Sequence, residues 1–349
     1  MVKASFKKYI LQFKQASGTS RGVLKTKTTY FLRLNDADNW GVGECGLFIG
    51  LSTDDVPEYE EKLTWICDNI NLGLEGLLLK LTTFPSIQFG LEQAFLSLSQ
   101  QNKFELFPSY FTKGRDSIAI NGLIWMGTKE FMYQQIKEKL KTGFTTIKLK
   151  IGAIDFKSEL ELLKYIRSEF SSKDIELRVD ANGAFAPKEA LEKLKRLSDF
   201  DLHSIEQPIN VHQWDEMTNL CNKTPLPIAL DEELIGIFDD DKKEQLLQKI
   251  KPQYIILKPS LIGGFKGSKK WIALADKQNI GWWITSALES NIGLNAIAQF
   301  TYSLKNNMPQ GLGTGGLFTN NLASPLKVNK GALFYNNNTK WDLSNLKLN

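Results

Sequence analysis

The strongest constraint on this chain is a regular beat of short apolar segments separated by amphipathic stretches. Eight such segments centre on Ala119, Ile147, Val179, Ile205, Ala229, Ile256, Trp283 and Leu312, spaced 24 to 32 residues apart. Each interval holds a strand, a helix and two turns, the repeat of a βα unit. The helical stretches carry their own periodicity. Lys129 to Lys141 places Met132, Ile136 and Leu140 on one stripe and is closed by Gly143. Phe156, Leu160, Leu163 and Phe170 mark the next helix, and Pro187 can open the one after it at its first turn. Eight units predict a parallel barrel. An open doubly wound sheet shares the spacing, but no glycine-rich phosphate loop follows the first strand. The first hundred residues differ in texture: Thr28 to Arg33 and Trp40 to Gly43 alternate like strands, while Leu91, Ala94, Phe95 and Leu98 recur at helix spacing.

Strand parity then sorts the charges. In Thr146-Ile-Lys-Leu-Lys-Ile151, Ile147, Leu149 and Ile151 share one face and Lys148 and Lys150 the other. Helices cover the outside of a barrel strand, so the lysines are expected to point inward. Leu177, Val179 and Ala181 alternate in the same way with Glu176, Arg178 and Asp180, and Lys258 ends its strand out of phase with Ile255 and Leu257. Glu206 and Asp231 close the two strands between. A lysine pair at i, i+2 is usually the solvated face of an edge strand, and a strand-terminal acid is usually a helix cap. Three lysines, one arginine and three carboxylates at the ends of five successive strands exceed both readings. Such a cluster must neutralise itself or hold an ion, because unpaired buried charge costs several kcal/mol.

Composition narrows the chemistry. Only two histidines occur, His203 and His212, with no carboxylate arrangement around either, and both read as structural or surface residues. Cys45, Cys67 and Cys221 show no metal spacing and no paired framework, which fits a reduced cytoplasm. Net charge is +4, too slight for a nucleic-acid surface. No apolar run approaches the ~20 residues of a membrane span, and Met1 to Phe13 alternates basic and apolar residues unlike a signal peptide. Asp180, Glu206 and Asp231 therefore offer hard oxygen ligands, which select Mg2+ or Mn2+ over zinc. A divalent ion flanked by Lys150 and Lys258 suits removal of a proton next to a carboxylate, whose enediolate needs concentrated positive charge. A lysine base works best with a pKa of roughly 7–8, and Lys148 is the neighbouring cation that would tune Lys150.

The series Lys148-x-Lys150, Asp180-x-Asn182, Glu206-Gln-Pro, Asp231-Glu232 and Lys258 resembles the muconate-lactonizing subgroup of the enolase superfamily, and within it the o-succinylbenzoate synthases. Arg178 two residues before the first ligand, the loop Gly43 to Ser52, the segment Thr285 to Ser290 and the run Gly311 to Phe318 carry the finer likeness. The resemblance implies a modified (β/α)7β TIM barrel over 113–320, an N-terminal α+β capping domain over 1–112, and a C-terminal segment, 321–349, that returns to the cap. It implies a metal-dependent dehydration within menaquinone biosynthesis acting on a small carboxylate substrate. Dipeptide epimerases and N-acylamino acid racemases of the same superfamily are the competing reading. The epimerases place an acidic pair after strand eight, where this chain has Gly311-Leu-Gly313. A two-lobed small-molecule binding protein is the non-enzyme alternative, but it needs no inward lysines around a carboxylate triad.

By the same resemblance, Lys150 is the base that takes the α-proton, Lys258 stabilises the enediolate, and Asp180, Glu206 and Asp231 hold the metal. Arg178 meets a substrate carboxylate or pairs inward with an aspartate that is a metal ligand; Asn182 orders a ligand or turns the chain. Glu232 is expected to stand behind the residues that do the chemistry or to be structural. Ser286, Glu289, Ser290, Gly313 and Thr314 are candidates for substrate contact. Leu47, Phe48 and Ile49 form either a lid over the site or a core strand of the cap.

Overall fold

A computed structural model describes residues 1–19 and 22–346. Three long strands open the chain and pair antiparallel in the order β1 (Lys3–Thr19), β2 (Gly22–Asp36), β3 (Asn39–Cys45). Alternation along β2 sends Tyr30, Leu32 and Leu34 to one face. There they pack on α1 (Tyr59–Asp68), α2 (Gly73–Leu78) and α3 (Pro85–Ser99) through Leu63, Ile66, Leu77, Ile87 and Leu91. Phe31 and Val42 on the other face meet Ile292, Leu322 and Leu346, so this sheet is sandwiched between its own helices and the rest of the molecule. β3 and α3 approach closely enough that only glycine fits between them: a Cβ on Gly43 would lie 2.0 Å from the Gly90 carbonyl oxygen.

After a short strand β4 (Ser117–Ala119), strands and helices alternate as the spacing requires. They are β5 (Gly122–Ile124), α4 (Lys129–Lys141), β6 (Thr146–Lys150), α5 (Phe156–Glu169), β7 (Glu176–Asp180), α6 (Pro187–Ser198) and β8 (Ser204–Glu206). Then come α7 (Trp214–Lys223), β9 (Ile228–Leu230), α8 (Asp240–Ile250), β10 (Tyr254–Leu257), α9 (Gly264–Lys277), β11 (Gly281–Ile284) and α10 (Asn291–Ser303). β5 to β11 form one parallel sheet in sequence order. Ile147, Leu149, Leu177, Val179, Ile205, Leu230, Ile255 and Leu257 leave it outward and are sealed by Leu163, Ile166, Leu194, Leu246 and Trp271 of the helices.

The two ends of the barrel differ from the spacing prediction. The segment around Ala119 is β4, which pairs with the C-terminal hairpin β12 (Leu326–Asn329) and β13 (Ala332–Tyr335), and the barrel's first strand proper starts at Gly122. The eighth strand, expected at Leu312, contracts to two parallel bridges, Ile120 to Gln310 and Thr285 to Gly311. These close the ring: the Asn121 amide donates to the Gln310 carbonyl at 3.0 Å and the Gly311 amide to the Ile284 carbonyl at 2.8 Å. The glycine-rich run there has few side chains to sustain a ladder, and a Cβ on Gly311 would fall 2.4 Å from Thr285 Oγ1. A short 3-10 turn, Thr314–Gly316, stands where an eighth helix would start, so the architecture is (β/α)7β. The tail then runs back, with Trp341 stacked on Phe104 at 4.2 Å between ring centroids; residues 347–349 of the expected returning segment lie outside the described residues. No helix among the described residues is long and apolar enough to cross a membrane.

Glu92 of α3 couples the two halves by accepting from the Phe265 and Lys266 amides at the start of α9, the latter at 3.0 Å. Burial pushes its carboxyl up to about 7, although these amides and Lys266 favour its charge. An acid raised on folding costs nothing below its unfolded value. Its penalty grows as pH rises from the unfolded value to the folded one and levels off above it. Stability should therefore decline between about pH 4.5 and 7 by a component that Glu92→Gln removes, and thermal unfolding of both proteins across that range will read the difference in slope.

Candidate active site

Register sets the site. In the parallel ladder Lys150 pairs with Asp180 and Asp180 with Glu206, so three inward charges stand side by side on β6, β7 and β8. Asp231 and Lys258 emerge just past β9 and β10 and complete the ring. Asp180, Glu206 and Asp231 are all at least 98% buried. Lys148 lies 2.9 Å from Asp180 and also bonds Glu206. Lys150 donates to Asp180 Oδ2 at 2.8 Å, and Lys258 bonds Asp231.

These contacts move the titrations in opposite directions. Burial alone would raise Asp180, but Lys148 and Lys150 hold it well below the usual carboxylate range. Burial would raise Asp231 too, but Lys258 and Lys148 outweigh it and lower that carboxyl. Glu206 goes the other way, raised by burial and by the neighbouring Asp180 beyond what Lys148 can offset. Burial disfavours the Lys148 ammonium, yet Asp180 and Glu206 raise it further, so Lys148 stays a cation beside Lys150. Asp231 likewise keeps Lys258 charged against its burial.

The turns beyond the strands are held by polar side chains. Asn182, in the left-handed region at φ 44°, accepts from Lys150 at 2.7 Å and donates to Glu232 Oε1 at 2.9 Å. Glu232 thus stands behind Asn182, a residue that contacts Lys150, which is one of its two expected places. A network that the sequence reading missed holds the Asp231 turn. Gln207, at φ 37°, accepts from the Asp231 and Glu233 amides, while Glu233 accepts from Gln207, the His212 amide and Trp214 Nε1. The Glu206-Gln-Pro and Asp231-Glu-Glu runs were its only signal.

A cavity of about 400 Å³ opens above the charges. Lys148, Lys150, Asp180, Lys258, Asn182, Ser286, Gly313 and Thr314 line it, as do Lys14, Phe48, Leu51 and Trp125. Ser286 and Thr314 hydroxyls meet at 2.6 Å. Glu206 and Asp231 are not on its wall but bond Lys148 and Lys258, which are. Several expected contacts are not at the wall. Arg178 sits one layer deeper, in register with Lys148, where its acidic partner is Glu176, at 2.7 Å, and not the expected ligand aspartate; it also donates to the Pro309 carbonyl at 2.9 Å and lies over the Trp283 ring at 4.4 Å. His203 and Tyr254 stack beside that ring and complete a barrel floor. Glu289 and Ser290 turn away from the wall: Glu289 accepts from Ser260, just past β10, at 2.6 Å, and the Ser290 amide and hydroxyl donate to Glu44 of the cap. Of the three lid candidates, Leu47 belongs to the cap core and Ile49 is 59% exposed, so Phe48 alone reaches the cavity wall, joined there by Leu51.

The donor chemistry of the three carboxylates fits a hard divalent ion. Glu206 Oε1 is buried without a hydrogen-bond partner, an uncompensated acceptor that a cation would satisfy. Among the described residues no three His, Cys, Asp or Glu side chains form a ready ligand cluster, because lysine ammoniums occupy the space between the acids.

Comparison with known proteins places this geometry in context. A family model for enolase C-terminal domain-like proteins matches residues 132–335. The o-succinylbenzoate synthase of Desulfotalea psychrophila is 48% identical, over 94% of this chain and 98% of that protein. The crystal structure of MenC from the same organism superposes with a TM-score of 0.85 at 44% identity, covering 95% of this chain and 99% of that one. The L-Ala-D/L-Glu epimerase of Bacillus subtilis is 28% identical over 55% of this chain and 52% of its own length. Its substrate-liganded structure shares the fold, with a TM-score of 0.82 at 20% identity, covering 98% of this chain and 97% of that one.

Arg178→Met tests the floor assignment. Loss of its buried contacts should lower stability by about 2 kcal/mol, read by denaturant unfolding, while calorimetry should find the affinity of the cavity for a small carboxylate unchanged.

Proposed function

Because the chain belongs to the o-succinylbenzoate synthase family of the enolase superfamily, we propose that its barrel mouth dehydrates 2-succinyl-6-hydroxy-2,4-cyclohexadiene-1-carboxylate to o-succinylbenzoate, a lyase reaction of menaquinone biosynthesis. The observation that carries this reading is the ring of Lys150, Asp180, Glu206, Asp231 and Lys258 at the strand ends under one cavity. Residues 1–112 act as the cap, 113–320 as the catalytic barrel and 321–349 as the returning segment. Cys45, Cys67 and Cys221 are free thiols, consistent with work in the cytoplasm.

Asp180, Glu206 and Asp231 would hold Mg2+, with Mn2+ as the alternative. When bound, the ion supplies positive charge to the substrate carboxylate and so acidifies the adjacent C–H. The Lys150 amine takes that proton, and the C–H electron pair moves into the enediolate. Lys258, kept an ammonium by Asp231, faces the developing charge from the opposite side of the barrel mouth. The ring then expels hydroxide from C6, which leaves as water with the proton returned by the Lys150 ammonium, and the ring becomes aromatic. Lys148 bonds both Asp180 and Glu206 and keeps the paired acids in place. Phe48 and Leu51 exclude water from the cavity roof. Ser286 and Thr314 offer hydroxyls to the succinyl arm.

Chelation of the ion should abolish turnover, and Mg2+ or Mn2+ should restore it; full turnover by metal-free enzyme would sink the ligand assignment. Lys150→Ala should lose essentially all dehydration while remaining folded. Lys150→Arg should fail almost as badly, because a guanidinium cannot accept the proton. Lys258→Arg should retain partial activity, since that position needs positive charge. Exchange of the α-proton of a non-eliminating analogue in D2O separates these roles, and wild-type exchange in Lys150→Ala would transfer the base role to Lys258.

A further inference from the structure

The turn that leaves Lys150 contains a buried acid that the reaction above does not use. Glu159, in the first turns of α5, is 2% exposed and folds back against residues 152–154. Its Oε1 accepts the Gly152 amide at 2.6 Å; burial pushes its carboxyl up to about 7, while the Gly152, Ile154 and Ala153 amides pull it back toward the charged form. Oε2 completes no hydrogen bond. Helix capping does not account for this acid, because Asp155 already caps α5 by accepting the Ser158 amide at 3.1 Å. The turn has little freedom elsewhere. Gly152 is held at φ 91°, and a Cβ there would fall 2.5 Å from the Ala184 Cβ in the turn after Asp180. The Ile151 amide is tied to the Asp180 carbonyl at 2.8 Å.

We propose that Glu159 is a positioning residue for Lys150: its carboxylate gathers the amides of the turn and so fixes the strand end from which the amine reaches the cavity. The inference rests on the reading of Lys150 as the base. A carboxylate suits this place because every group facing it along the turn is a donor. Glutamine keeps one acceptor but replaces the other oxygen with an NH2 that cannot take an amide hydrogen, whereas aspartate keeps both oxygens but falls a methylene short. Displacement of a reacting group by about 1 Å can cost on the order of 100-fold in rate.

The test uses the Mg2+-loaded full chain. Titration with o-succinylbenzoate counts intact sites and gives their affinity, so kcat can be expressed per intact site. Glu159→Gln should keep product affinity and KM within about twofold while kcat per site falls about tenfold or more, and Glu159→Asp should fall less. A structural role alone would reduce the number of sites and leave kcat per site unchanged, which would overturn the proposal. So would a loss carried by KM or product affinity. Should Glu159→Gln yield no intact sites, Glu159→Asp decides: a reduced kcat per site supports the proposal and a wild-type value refutes it. Failure of the wild-type enzyme to dehydrate the substrate would instead refute the underlying reading.

Discussion

Charges inside an apolar barrel persist only where they compensate one another, and that requirement organises this molecule. An isolated buried carboxylate or ammonium would shed its charge. Here Asp180 and Asp231 stay ionised and Lys148 and Lys258 stay protonated because the parallel register brings them together. The register in turn depends on the outward faces: Ile147, Leu149, Leu177 and Val179 must meet the helices, and a one-residue slip would turn the charges into that layer. Packing outside therefore aims the chemistry inside. Glu206, raised by burial and by Asp180, is the acid left least compensated, where a divalent ion has most to offer.

Closure of the barrel has a consequence for what the cavity accepts. The eighth strand is only two bridges long, and its glycines let residues 310–313 pass close to β11 and the first strand. The wall they form presents Gly313 and Thr314 with no carboxylate between Gly311 and Gly313. A substrate ammonium would find no counter-charge there. A substrate carrying a further carboxylate meets a mouth where Lys14 and the hydroxyls of Ser286 and Thr314 line the wall.

The barrel was legible in the sequence because alternation and helix stripes are local signals. Val179, Ile205, Ala229, Ile256 and Trp283 fall within their strands, and Lys129–Lys141 is the helix its stripe outlines. The ends were misplaced where local pattern yields to tertiary pairing: Ile118 is as apolar as a barrel strand but pairs with Leu333 of the tail. Parity correctly turned Lys148, Lys150 and Arg178 inward, but parity carries no depth. Arg178 is one layer below the cavity because its partners, Glu176, Pro309 and Trp283, lie there. Glu289 and Ser290 were drawn away by Ser260 and by Glu44 of the cap, a contact spanning 246 residues for Ser290 that no local pattern encodes. Lys14 entered the cavity wall for the same reason, from a cap strand distant in sequence.

We propose that this ring of charges dehydrates a cyclohexadiene carboxylate and does not racemise a peptide. The most direct measurement offers the purified, Mg2+-loaded protein both substrate classes side by side, following aromatic product by absorbance and α-proton exchange of dipeptides in D2O by NMR. Formation of o-succinylbenzoate with a kcat/KM far above that for any dipeptide is the predicted result. Preferential exchange of Ala-Glu-type dipeptides, with little or no aromatic product, would contradict the account.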